Sequence, residues 1–321
     1  MHSYSNSFIN EMSILNKILN DILIQKEPAS LYDPVNYLLK KKGKNTRALL
    51  TLITSNFWNT NTHQIHGLVL AIESLHNFTL IHDDVMDNAL IRRGDPTINS
   101  KWSNNQAILS GDVLLIHAYR HLLKSNLNLE ILNYFTHTAI EICEGQQLDL
   151  DLQKIKTISL DQYYKMIYLK TGVLIKFALI APCFLSKMGK KFLNEMSTLG
   201  DSLGMLFQIQ DDYLDLYGEE VQTGKLLGGD VFENKKTFLY ATALDLSNQN
   251  QDLIKVYHSK SKNKLEEVCS IFQDLGVKDA VELKMEELNT IVLETIEKLD
   301  VDLDKKNLFL EFISTILNRK K

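Results

Sequence analysis

Apolar residues recur three and four positions apart along almost the whole chain, and no stretch alternates apolar with polar residues convincingly enough to make a strand. Leu15, Ile18, Leu19, Ile22 and Leu23 form one such stripe, and Leu68, Ala71, Ile72, Leu75 and Thr79 form another. That spacing puts a stripe on one face of an α-helix, which must then be buried against other helices. Comparable patterns run through residues 45–58, 105–124, 128–152, 160–187, 192–216, 236–247 and 262–317. Only four prolines and fourteen glycines punctuate 321 residues, which favours long helices. The expected class is all-α. No low-complexity segment or Pro/Gly/Ser linker divides the chain, so residues 1–321 are read as a single domain.

Composition narrows the function classes. A net charge of −5 gives no global attraction to nucleic acid or to an anionic membrane. Cys143, Cys183 and Cys269 are scattered and lack metal-ligand spacing, so they are read as reduced, buried thiols of a cytoplasmic protein. The N-terminus lacks the basic and apolar regions of a signal peptide. The run from Gly172 to Leu185 is broken by Lys176 and Pro182 and is expected to be too short to span a bilayer.

Two acidic clusters break a rule of helix design. In "HNFTLIHDDVMD", Asp83 and Asp87 are four apart and share a helix face, with Asp84 one position on. The helix starts near His63 and ends before Gly94 and Pro96, so the cluster sits in its last turns, where the macrodipole disfavours negative charge. "FQIQDDYLDLYG" repeats the spacing with Asp211, Asp212 and Asp215 just before Gly218. One such cluster is as readily a solvated helix end as a site; two in matching contexts point to a cation. Hard carboxylate oxygens with no accompanying His or Cys suit Mg²⁺, commonly held by a few carboxylates plus substrate phosphates.

The basic residues fit such co-ligands. Arg92, Arg93, Lys225, Lys235 and Lys236 lie in loops following the acidic helices, and Lys44 and Arg47 stand three apart in "GKNTR" at the start of another helix. Guanidinium forks bind phosphate oxygens bidentately, and lysine supplies a compact charge. Each of these alone is more often a solvated surface charge. Together with the acidic helix ends and the apolar helices behind them, they describe a pocket for a diphosphate head with a hydrocarbon tail.

The sequence resembles the all-trans isoprenyl diphosphate synthases of the polyprenyl synthetase family. The matching stretches occur in family order: "GKNTR" at 43–47, "HNFTLIHDDVMD" at 76–87, "RRGDPT" at 92–97, "AILSGDVLL" at 107–115, "GQQLD" at 145–149, "KTG" at 170–172, "FQIQDDYLD" at 207–215 and "GKLLGGDVFENKKT" at 224–237. The resemblance implies an orthogonal helical bundle around a hydrophobic tunnel, a homodimer and three Mg²⁺ ions per site. It makes Asp83, Asp87 and Asp211 the principal Mg²⁺ ligands, with Asp84, Asp212 and Asp215 binding metal or orienting its waters. Arg92, Lys170, Thr171, Gln208, Lys225 and Lys235 would hold the allylic diphosphate. Lys44, Arg47, His76 and Arg93 would hold isopentenyl diphosphate. Gln146 and Asp149 match a motif near the allylic site, and the basic tail "NRKK" is either an entrance cover or a frayed terminus.

The implied chemistry is Mg²⁺-assisted ionisation of an allylic diphosphate, attack by the double bond of isopentenyl diphosphate and loss of a proton, with water excluded. Product length in this family follows the residues just before the first box. Phe78 is aromatic at the fifth position before it and Thr79 is small at the fourth, which implies geranylgeranyl diphosphate first and farnesyl diphosphate second. The chain departs from the family pattern at Ala48 and Leu239, where proline is frequent, and at Asn234, where glycine is frequent; none of these removes a proposed ligand. Three other readings are weaker: a class I terpene cyclase, which carries a different second metal motif, a subunit of a heteromeric synthase, which usually has a damaged aspartate box, and an acidic Ca²⁺-binding helical protein.

Overall fold

The computed structural model describes residues 4–41, 43–58, 60–218 and 227–317. In order, the helices are α1 (Asn6–Asn20), α2 (Ala29–Leu39), α3 (Thr46–Ser55), α4 (Thr62–Met86), α5 (Ile98–Lys101), α6 (Asn104–Lys124), α7 (Leu129–Gln153), α8 (Leu160–Ile167), α9 (Val173–Leu185), α10 (Lys190–Tyr217), α11 (Gly229–Phe232), α12 (Phe238–Leu246), α13 (Gln251–Tyr257), α14 (Lys264–Asp274), α15 (Val277–Lys298) and α16 (Leu303–Leu317). The all-α expectation holds. Among the described residues the exception is a two-residue hairpin, Ile91–Arg92 against Asp95–Pro96, in a stretch whose pattern reads as loop. Residues 160–187, read as one helical pattern, contain a π-helical turn, Tyr168–Gly172, between α8 and α9. Residues 262–317 divide into α14, α15 and α16.

The contacts group into two units: residues 1–136, 177–193 and 300–312 in the first, and 137–176, 194–299 and 313–321 in the second. In the first unit α4 and α6 pack antiparallel. An added Cβ at Gly67 would fall 1.8 Å from the Ser125 Oγ, and one at Gly111 would fall 2.3 Å from the His82 Nε2, so the two glycines permit close approach at both ends of the pair. Leu68, Ala71, Ile72 and Leu75 of α4 are fully buried, as the stripe predicts. The N-terminus of α4 is capped by Asn61, whose side chain accepts from the His63 and Gln64 amides.

The second unit has its own core, including Tyr163, Ile209, Tyr213, Phe238, Tyr240, Tyr257 and Phe272. Tyr240 and Tyr257 stack with ring centroids 3.8 Å apart. α8 begins in a capping box in which Ser159 and Gln162 satisfy each other's backbone amides. The run Leu160–Leu185 is long and apolar enough to cross a membrane by length and composition, which corrects the sequence expectation, yet 72% of its most apolar window is buried inside the protein. A helix apolar on every side is what a core position requires.

Candidate active site

In the first unit, α4 delivers the first aspartate box at its C-terminal end. Asp83 and Asp84 lie in the last turn and Asp87 is the C-cap, its amide donating to the Asp83 and Val85 carbonyls. The three carboxylates are not equivalent. Asp84 is buried, Asp83 is half-buried and Asp87 is exposed. Asp84 accepts from the Arg92 Nε at 2.7 Å. Burial raises its carboxyl above the usual range, and the Arg92 charge opposes that rise. Arg92 reaches back because the hairpin folds over the helix end. Arg93 and Gly94 at its tip have φ of 54° and 81°, the left-handed geometry of a tight two-residue turn. Thr97 pins its base by donating to the Ala89 carbonyl at 2.7 Å, and the Tyr37 hydroxyl donates to Pro96 O at 2.9 Å.

The predicted second anion site assembles beside it. Asn45, in left-handed conformation, is the N-cap of α3, so Lys44 lies just outside the helix and Arg47 in its first turn. An Arg47 guanidinium nitrogen stands 3.2 Å from the His76 Nε2. A guanidinium can only donate, so this nitrogen accepts and His76 carries its proton on Nδ1. Burial, then the charges of Arg47, Arg93 and Arg92, hold His76 well below its ordinary range, in agreement with a neutral ring. Sequence reasoning missed Glu73, one turn before His76. It is buried and accepts from Asn77 at 3.0 Å; burial raises its carboxyl above the usual range, and the Asn77 bond and the charges of Arg47 and Arg93 oppose that rise. A glutamate three residues before His76 in an otherwise apolar stripe was the signal that could have found it.

Phe78 is buried with its ring 4.7 Å from that of His82, and the Thr79 hydroxyl donates to the His76 carbonyl at 2.8 Å.

In the second unit the box on α10 is the hub of a hydrogen-bond chain. Both oxygens of buried Asp212 are engaged: Oδ2 accepts from the Tyr163 hydroxyl at 2.7 Å and the Phe238 amide at 2.8 Å, and Oδ1 accepts from the Gln208 amide at 3.1 Å. Burial and the nearby Asp230 charge push its carboxyl up to about 6. Gln208 in turn accepts from the Thr171 hydroxyl at 3.1 Å, and Lys170 is paired with Asp149 at 2.6 Å. Asp211 and Asp215 are half-buried. Asp215 accepts from the Asp230 amide at 3.0 Å, and Asp230 accepts from the Lys235 ammonium at 3.0 Å. Desolvation opposes the Lys235 charge, but Asp230 and Asp212 outweigh it and raise the ammonium above its ordinary range. Gln146 is buried on α7. Lys225 lies outside the described residues.

The π-helical turn explains how Lys170 and Thr171 come together with Asp149 and Gln208. An added Cβ at Gly145 would sit 2.3 Å from the Lys170 backbone nitrogen, and one at Gly204 2.7 Å from the Gly172 Cα. Two bare glycine backbones, on α7 and α10, thus press against the turn. An extra residue in a helical turn re-aims side chains, a device common at functional sites.

In each box the second aspartate is buried, whereas the first and third are half-buried or exposed, which makes these two the candidates for a hard cation. Among the described residues no three His, Cys, Asp or Glu side chains form a metal cage by themselves. A donor set of a few carboxylate oxygens fits Mg²⁺, which retains waters and takes further ligands from bound phosphates.

The sequence profile of the polyprenyl synthetase family matches residues 28–275. The chain is 32% identical over 281 residues to the short chain isoprenyl diphosphate synthase of Methanothermobacter thermautotrophicus, covering 85% of this chain and 86% of that one. It is 30% identical to the geranylgeranyl diphosphate synthase of Methanosarcina mazei, covering 97% and 96%. A crystal structure of a geranylgeranyl pyrophosphate synthase superposes with a TM-score of 0.91 over 99% of this chain and all of that one, at 33% identity. An all-α fold with two aspartate boxes, each followed by cationic side chains, together with these relatives, defines a class of prenyl-transferring enzymes. The chain belongs to the polyprenyl synthetase family.

Proposed function

We propose that the protein joins an allylic diphosphate to isopentenyl diphosphate in the all-trans sense, with geranylgeranyl diphosphate as the favoured final product and farnesyl diphosphate as the alternative. The observation that carries this reading is the pair of DDxxD boxes closing α4 and α10, each followed by a cation-bearing turn. Asp83, Asp87 and Asp211 would hold Mg²⁺, three ions per site, which would supply charge neutralisation of the departing diphosphate. Arg92, Lys170, Lys225 and Lys235 bind that diphosphate, with Thr171 and Gln208 orienting it. Its allylic carbon–oxygen bond ionises in their field. Lys44, Arg47, Arg93 and neutral His76 hold isopentenyl diphosphate so that its double bond attacks the cation, and the proton then lost passes to the released diphosphate. The match of the family profile across both units supports one catalytic domain over residues 1–321. The intact boxes weigh against a non-catalytic subunit or a terpene cyclase.

The same reading makes the enzyme a cytoplasmic homodimer. In support, Leu109, Ile116 and Leu123 of α6 are exposed by 55%, 64% and 62%. Their seven-residue spacing makes an apolar row of the kind that pairs with a second helix. Sedimentation velocity reads this directly; a monomer at micromolar concentration removes it.

Labelled isopentenyl diphosphate supplied with dimethylallyl, geranyl or farnesyl diphosphate, followed by product sizing, tests the reaction. Phe78 lies about 7–8 Å back along α4 from Asp83, at about 1.5 Å per residue. Phe78→Ala is expected to lengthen the products and Thr79→Phe to shorten them towards farnesyl. Unchanged sizes in both variants place the floor on another helix.

The two anion sites separate kinetically. Lys44→Ala or Arg47→Ala is expected to raise KM for isopentenyl diphosphate, and Lys225→Ala or Lys235→Ala the KM for the allylic substrate. Each lost charge-assisted contact is worth roughly tenfold to a hundredfold. Equal weakening of both substrates in every variant contradicts two separate sites.

A further inference from the structure

Lysine is almost never fully buried without a partner, yet among its described residues the second unit buries two, neither used by the proposed reaction. Lys236 and Lys264 are each only 2% exposed. The Lys264 Nζ donates to the Val231 carbonyl and to the Asn234 Oδ1, the latter at 2.8 Å. The Lys236 Nζ donates to the Asn234 carbonyl at 3.1 Å. Lys236 also stands 5.5 Å from the centre of the Tyr240 ring, and Lys264 5.2 Å from that of Tyr257. The stacked tyrosine pair thus offers π surface to two neighbouring cations, which makes their mutual repulsion tolerable. Burial, and then the Lys264 charge, bring Lys236 down to about 8.

Both ammonium groups grip one turn. Val231 belongs to the four-residue helix α11, which begins the turn, and Asn234 has a φ of 57°, a backbone conformation that favours glycine. Asparagine tolerates this left-handed geometry better than most residues, at some cost relative to glycine. Its side chain is tied down by Lys264. The residues on either side present Asp230 and Lys235. The Lys235 amide donates to the Asp230 carbonyl at 2.9 Å, and the Lys235 carbonyl accepts from the Tyr257 hydroxyl at 2.7 Å. The turn is therefore fixed from the core side by Lys264, Lys236 and Tyr257, while the Lys235 ammonium meets Asp230.

We propose that Lys264 is a positioning residue for the diphosphate-binding turn: by holding Val231 and Asn234 from within the core, it sets where Asp230 and Lys235 stand against the allylic diphosphate. This rests on the assignment of Lys235 to that diphosphate. Lys264 touches no substrate; it replaces, through the Asn234 side chain, the freedom that a glycine would give the turn.

The test is a double-mutant cycle on the full chain with Mg²⁺, using geranyl diphosphate and isopentenyl diphosphate as substrates. Lys264→Met keeps volume and removes the donors, leaving the Val231 carbonyl and the Asn234 Oδ1 without them, so a lowered thermal midpoint is expected whatever the role of the lysine. The expected result is a roughly tenfold rise in KM for geranyl diphosphate, with KM for isopentenyl diphosphate nearly unchanged. Asn234→Gly alone is expected to stay near the parent, and in that background Lys264→Met is expected to lose most of its effect. A merely structural lysine would affect both substrates alike, with no rescue by glycine. Should Lys264→Met fail to fold, Lys264→Gln, shorter and uncharged, reads the same split. Lys235→Ala separates the two levels of inference. If it leaves the allylic KM unchanged, the reading of the site and this proposal both fall. If it raises that KM while Lys264→Met does not, or if the glycine background gives no rescue, the proposal alone is overturned.

Discussion

Asp83→Ala, and separately Asp211→Ala, are expected to lower kcat/KM on the order of a thousandfold or more, because each removes a ligand of the cation that neutralises the leaving diphosphate. Stability should move the other way. Asp83 stands beside Asp84 and four residues before Asp87 in the last turn of α4. Removing one of these carboxylates relieves like-charge repulsion and an unfavourable macrodipole contact worth about 0.3–1 kcal/mol. Helicity by circular dichroism should be retained and the thermal midpoint unchanged or slightly raised. Full activity in either variant, or full activity of the parent in excess chelator, removes the metal–diphosphate model.

The second large effect is expected at a residue that carries no chemistry. In Gly145→Ala the new methyl group lands against the Lys170 nitrogen and the Leu169 carbonyl carbon, at 2.3 and 2.6 Å. These are backbone atoms, so no side-chain rotation relieves the clash. Overpacking of this kind costs about 1–3 kcal/mol, and moving a substrate-holding group by about 1 Å can cost a hundredfold in rate. Gly145→Ala should therefore lower both the thermal midpoint and kcat/KM for the allylic substrate. Gly189→Ala, where an added Cβ meets nothing within 4 Å, is the control. Parent-like activity in Gly145→Ala would show that the π-helical turn does not set Lys170.

The helical class and both acidic clusters were legible because they are local signals. The 3.6-residue period survives any tertiary arrangement, and the start of α4 near His63 and its end before Gly94 agree with the observed Thr62–Met86. Roles within each cluster were not legible, because DDxxD spacing does not say which carboxylate is buried. Asp84 and Asp212 are distinguished by partners elsewhere in sequence, Arg92 in one case and Tyr163, Gln208 and Phe238 in the other. The π-helical turn was hidden for the same reason. "YLKTG" reads as ordinary helix, and the glycines that press on it lie at positions 145 and 204. The burial of Lys264 and Lys236 was not legible, because burying a long amphipathic side chain leaves no periodic trace. Helix α2 was also missed, since Pro34 inside it reads as a breaker although Pro is tolerated in a first turn or two.

Three of the cations assigned to diphosphate each already have a carboxylate neighbour: Arg92 with Asp84, Lys170 with Asp149, and Lys235 with Asp230. Without substrate, then, these groups form neutral couples rather than a store of bare positive charge. Binding a phosphate group to any of them is a change of partners, in which one anion displaces another at the same ammonium or guanidinium. The enthalpy of such an exchange is small, because a charge-assisted bond is broken for each one made. Its direction is set by whatever neutralises the displaced carboxylate, so the positive charge of the incoming metal and the negative charge of the incoming diphosphate favour each other's arrival, and neither has to be drawn in by an open electrostatic field.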